Sequence, residues 1–200
     1  MEILMTTTDI YFNEKSRLLG NCYLVIEDGI IYHYEFLVTK NKAEIICDSS
    51  TFLEYAVEHY HKEHPYINEY YIKDKTFFMT FDKIHTFKLP ISILQVSSIF
   101  LDATLLEKLK NYEDIEDVFF PVQIVDDEYV VLDKLHQLYL ASENGSKMVD
   151  VYMDEDFRLS RDYLYLAKEQ NIKTIKDTHI ISHDEYEAIY SQLKGLLDLI

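Results

Sequence analysis

The stretch "PVQIVDDEYVVLDKLHQLYLASENGSKMVDVYM", residues 121 to 153, leaves the chain few ways to fold. Two short runs rich in β-branched and aromatic residues flank Asp126-Asp127, too close together for anything but an antiparallel hairpin. "KLHQLYLASEN" follows at helical spacing, with Leu135, Leu138 and Tyr139 predicted on one face. Asp133 stands where an N-cap belongs, and Gly145 where a helix C-terminal glycine belongs. "KMVDVYM" then returns to strand character. A hairpin, a helix and a further strand joined by such short connections predict a small mixed sheet with the helix packed on it.

The flanking sequence extends this to an α+β chain. "NCYLVIEDGIIYHYEFLVTKNKAEIICDS" reads as an antiparallel meander, with Asp28-Gly29 as its first turn and Asn41-Lys42 as its second. "STFLEYAVEHYHKEH" places Phe52, Leu53, Ala56, Val57 and Tyr60 at helical spacing, opened by Thr51 and Glu54 in a capping-box pattern and ended by Pro65. "KLPISILQV" is a short strand or extended lead-in, and "TLLEKLKNYEDIED" a helix opened by Thr104 and Glu107. Two helices are predicted in the tail, over "SRDYLYLAKEQ" and over "SHDEYEAIYSQLKGLLDL", the second with a capping box of Ser182 and Glu185. Three regions are therefore expected: an α+β region over 1–87, a core over 88–155 and a helical extension over 156–200.

Charge narrows the function classes. The net charge is -17, and it is not concentrated in one half. Residues 1–87 carry 14 acidic and 8 basic side chains, the remainder 22 and 11. Duplex DNA binding is not expected, because that affinity comes mainly from Lys and Arg neutralising phosphates. A basic protein partner suits such a surface better. Cys22 and Cys47, the only cysteines, are too few for a disulfide framework and have no zinc spacing. The N-terminus lacks the basic and apolar regions of a signal peptide, and no stretch is long and apolar enough to span a membrane. A cytoplasmic location is the expectation.

From Lys88 to Met153, about a third of the chain, the order of elements and several residues resemble the ParB N-terminal/sulfiredoxin-like family. In that family the strand-to-helix junction reads Asp-Gly-x-His-Arg or Gly-x-Arg-Arg, followed by a Leu-x-x-Ala helix, a glycine and a Val-rich strand. Asp133, His136, Leu138, Ala141, Gly145, Val149 and Val151 match in register. The resemblance implies nucleotide binding, phosphotransfer or nucleotide hydrolysis, with the phosphate at the junction of Asp133, Lys134, His136 and Gln137. The departures fall on the phosphate-binding positions. Lys134 replaces the glycine that lets phosphate approach the backbone, and Gln137 replaces the arginine that clamps it. The sulfiredoxin-type cysteine is absent as well.

Other polar clusters read as structure. Among His59, His61 and His64, only His61 and His64 share a helical face, which is too little for a metal site. Glu113, Asp114, Glu116 and Asp117 form an acidic run able to reach the junction and hold magnesium, but suited also to a solvated helix end. Two functions remain in view. One is a non-catalytic ParB-like module that binds a protein partner in an inhibitory, immunity or regulatory role, with no cofactor and no metal. The other is a nucleotide-dependent phosphotransferase or nucleotide hydrolase using ATP or CTP with Mg.

Overall fold

A computed structural model describes residues 1–72, 74–112, 118–155 and 161–197. The chain is α+β and divides into two compact units, Met1–Ile84 and His85–Ile200.

The first unit is a six-stranded sheet in simple sequence order. Its strands are β1 (Glu2–Met5), β2 (Cys22–Glu27), β3 (Ile30–Thr39), β4 (Lys42–Cys47), β5 (Glu69–Ile72) and β6 (Thr76–Thr80). The β2–β3 turn is Asp28-Gly29, both at positive φ, the twist that suits a two-residue hairpin. The β3–β4 turn falls on Lys40-Asn41, one residue earlier than expected, because Thr39 already pairs with Lys42. Helix α1 (Glu14–Leu18) lies between β1 and β2 in the chain, and helix α2 (Leu53–Glu63) crosses from β4 to its parallel neighbour β5. Leu53, Ala56, Val57 and Tyr60 form the buried stripe of α2. Tyr60 stacks on Phe36 at 3.8 Å between ring centroids and donates to Asn21 Oδ1. The Thr51–Glu54 capping box is not formed. Phe52 is the N-cap, and the Thr51 N–H is taken by the Ser49 hydroxyl.

The second unit is built on a five-stranded mixed sheet in the order β7, β12, β10, β11, β8. These strands are β7 (Thr86–Pro90), β8 (Leu94–Val96), β10 (Phe119–Val125), β11 (Glu128–Val131) and β12 (Met148–Met153). β10 and β11 form the predicted hairpin, with Asp126 and Asp127 both at positive φ in the turn. Helix α4 (Leu135–Glu143) carries the chain from β11 over β10 to β12, which runs parallel to β10. It buries Leu138, Leu140, Ala141 and Ser142, whereas Leu135 and Tyr139 are only half-buried. The buried surface is wider than the predicted single face because α4 also packs against helix α3 (Ala103–Lys110) and a 3-10 turn at Ile175–Asp177. Gly145, at φ +84°, ends α4: its N–H reaches the Ser142 carbonyl while Ser146 N–H reaches Ala141.

The C-terminal elements belong to this second unit. Strand β13 (His179–Ile181) pairs in parallel with β9 (Phe100–Asp102), a two-stranded sheet of its own. Helix α5 (Arg161–Glu169) and helix α6 (His183–Leu197) fall where they were predicted. The Ser182–Glu185 capping box opens α6, with Ser182 N–H and hydroxyl donating to Glu185 Oε2. The Thr104–Glu107 box at α3 is replaced by a different cap. Asp102 stands two residues earlier and accepts the Thr104 and Leu105 amides. No helix among the described residues is long and apolar enough to cross a membrane.

Candidate functional site

The strand-to-helix junction is fixed from both sides. The Leu132 N–H bonds to the Pro121 carbonyl and keeps the end of β11 in the ladder. Two residues later Lys134 turns to φ +62°, ψ +31°, a left-handed conformation that glycine adopts far more readily than lysine. Lys134 is the N-cap of α4, since its carbonyl accepts the first intrahelical bond, from Leu138. That corrects the expectation for Asp133, which lies one residue outside the helix and is exposed. A lysine side chain has no acceptor, so the helix start receives no side-chain cap. Its ammonium turns back instead and donates to the Phe119 carbonyl at 3.2 Å, at the beginning of β10.

His136 is directed into the protein. Its Nε2 accepts the Asp102 backbone N–H at 2.9 Å. An amide can only donate, so Nε2 is unprotonated and the ring proton sits on Nδ1. Burial lowers the pKa of this ring, against the pull of the Asp102 and Asp133 charges. Gln137 is half-buried.

Asp102, absent from the sequence-based candidates, is the hub of the site. It is 5% exposed. One carboxylate oxygen caps α3, and the other meets His183 Nδ1 at 2.7 Å. Burial alone would raise its pKa. The His183 hydrogen bond and the two backbone amides outweigh that and hold it below the ordinary carboxylate value. The same hydrogen bond and charge raise the pKa of His183, whose side chain is about half exposed. One turn along α6, Tyr186 sets its ring edge-on to His136 with centroids 6.0 Å apart, and Tyr190 lies 4.6 Å beyond. The local signal for Asp102 was present in "LDATLLEKL", an aspartate just ahead of a helical run. Nothing local marks His183, which is 81 residues away in the chain.

The remaining candidates do not assemble into a site. His61 stacks on Phe81 at 3.7 Å and bonds through Nδ1 to the Ile67 carbonyl, while His59 faces Glu63. Glu113, Asp114, Glu116 and Asp117 lie outside the described residues. Among the described residues, no group of three or more His, Cys, Asp or Glu side chains is arranged to hold a metal ion.

No family model matches the sequence, and no curated protein matches it. Among solved structures, the crystal structure of protein Atu1540 from Agrobacterium tumefaciens is similar at a TM-score of 0.36 and 16% identity. The match covers 48% of this chain and spans 62% of the length of that one.

Proposed function

We propose that this protein is a non-catalytic, cytoplasmic ParB-like module whose phosphate-binding junction has become a structural joint, and that it acts by binding a protein partner. The observation that carries the reading is how the junction side chains are used. The Lys134 ammonium is directed to the Phe119 carbonyl, and the acceptor nitrogen of His136 to the Asp102 amide. A phosphate at the start of α4 would need donors facing outward, and His136 is neutral and turned inward. The left-handed backbone at Lys134 supports descent from a glycine-containing junction.

The first unit supplies a surface suited to a partner. The register of its sheet puts Leu4, Ile31, Leu37, Ile46 and Phe77 on one face, and each is at least 37% exposed. Exposed apolar side chains on one sheet face, interleaved here with His33 and Glu44, support an interaction surface. With a net charge of -17, the favoured partner is basic.

One observation favours the second reading, a nucleotide-dependent enzyme using ATP or CTP with Mg: the start of α4 has no side-chain cap and so keeps its attraction for anions. Thermal melts with ATP, CTP and magnesium separate the two. The binding-module reading expects no shift. Stabilisation of about 2.7 kcal/mol at 100 times the dissociation constant, abolished in Lys134→Ala, would replace it with the nucleotide reading. The partner half is tested by affinity capture with Ile31→Glu and Phe77→Glu. A captured protein that both variants retain as well as the unmodified chain counts against this face.

A further inference from the structure

We infer that α6 is a latch operated by His183: the protonated ring ties the first turn of the helix to Asp102 by charge as well as by a hydrogen bond, and loss of that proton loosens the helix against His136 and the start of α4. The anchor is rigid. Asp102 is buried, its second oxygen is occupied by the α3 amides, and its backbone N–H is held by His136. Helix α6 follows a three-residue strand that, among the described residues, pairs with β9 alone, and His179 and Ile180 of that strand are exposed. Tyr186 rests on the His136 ring one turn beyond the tie, so the position of α6 decides whether that ring is covered.

The charge sits where a helix tolerates it least. His183 is the first residue of α6, and the positive end of the helix dipole opposes a cation there. What favours protonation is the surrounding carboxylates: Asp102 from the end of β9, with Glu187 and Asp184 on α6 itself. His136 faces the same anchor from α4 as a neutral ring. Tyr186 and Tyr190 follow on α6, and burial keeps the Tyr186 hydroxyl protonated well beyond neutrality. The folded pKa of His183 is raised above its ordinary value of 6.5. Its contribution is therefore complete below that value and is lost as pH rises through the folded pKa. The Ser182–Glu185 capping box does not share this dependence, because hydrogen bonds from Ser182 hold the Glu185 carboxyl in its ionised form. Deprotonation removes the charge and leaves an Nδ1–H able to bond to Asp102, so it loosens the docking of a helix that stays wound.

The experiment is amide hydrogen exchange on the full chain at about pH 6, below the ordinary histidine value, and at about pH 8.5, well above it. Rates are corrected for intrinsic exchange, and α4 serves as the internal reference. Protection of α6 relative to α4 should fall by roughly two- to fivefold with the rise in pH, the scale of an exposed ion pair. His183→Gln should show the lower protection at both pH values and no pH step. Glu185→Gln should fray the helix start but keep the step. A step that persists in His183→Gln, or no step in the unmodified chain, overturns the latch.

Discussion

The backbone N–H of Asp102 points at Nε2 of His136, 2.9 Å away and 34 residues on in the sequence. This bond joins the start of α3 to the first turn of α4 and fixes the imidazole as a neutral acceptor. A residue that the sequence offers as a phosphate ligand thus serves as a brace between two helices.

The brace gives His136 a defined pH signature. Burial depresses its folded pKa below the value of about 6.5 that it has in the unfolded chain. As pH falls through 6.5 the unfolded state takes up the proton first, so stability is present above that pH and lost below it. His136→Gln lacks this loss. The stability gap between the unmodified protein and the variant, measured by urea melts at a series of pH values, should narrow from pH 7 towards pH 5. A gap that widened instead would mean that the ring is charged in the folded protein.

Lys134 holds a left-handed backbone at a cost of about 1–2 kcal/mol that a glycine would not bear. Lys134→Ala and Lys134→Gly both remove the bond to Phe119, but only glycine relieves the backbone. The glycine variant should be the more stable of the two by about 1 kcal/mol in chemical denaturation. Equal or reversed stabilities would show that the turn is not strained.

The two aspartates that stand just ahead of these helices should differ sharply when removed. Asp133→Ala should change stability by less than about 0.5 kcal/mol, since the residue is exposed and caps nothing observed in α4. Asp102→Ala removes a buried cap and the His183 partner together and should cost about 1–3 kcal/mol. Thermal melts of the pair decide the matter. A larger cost at Asp133 would restore it as the cap.

Duplex DNA should not be bound at physiological salt. Both halves of the chain are acidic, and phosphate neutralisation is the main source of such affinity. A gel shift at micromolar protein that weakens steeply with salt would reveal a basic patch and overturn this expectation.

Elements whose signals are local were legible in the sequence. The Asp28-Gly29 and Asp126-Asp127 turns, the stripe of α2, the β11–α4–β12 order, the Gly145 stop and the Ser182–Glu185 box depend on residues within a turn or two of each other. Helix starts were less secure. Ser, Thr and Asp all compete to cap, and which one does depends on where the preceding strand ends, so Asp102 displaced Thr104 and Lys134 displaced Asp133. The candidate site was legible only as a stretch of chain. Its side chains received their roles from β9, β10 and α6, which supply Asp102, Phe119 and His183, in pairs whose members stand 15 (Phe119 and Lys134), 34 (Asp102 and His136) and 81 (Asp102 and His183) residues apart along the chain. A lysine can be a phosphate ligand or a strut, and a histidine a cation or a neutral acceptor. Burial and the partner within hydrogen-bonding reach settle which, and both arise only when distant segments pack.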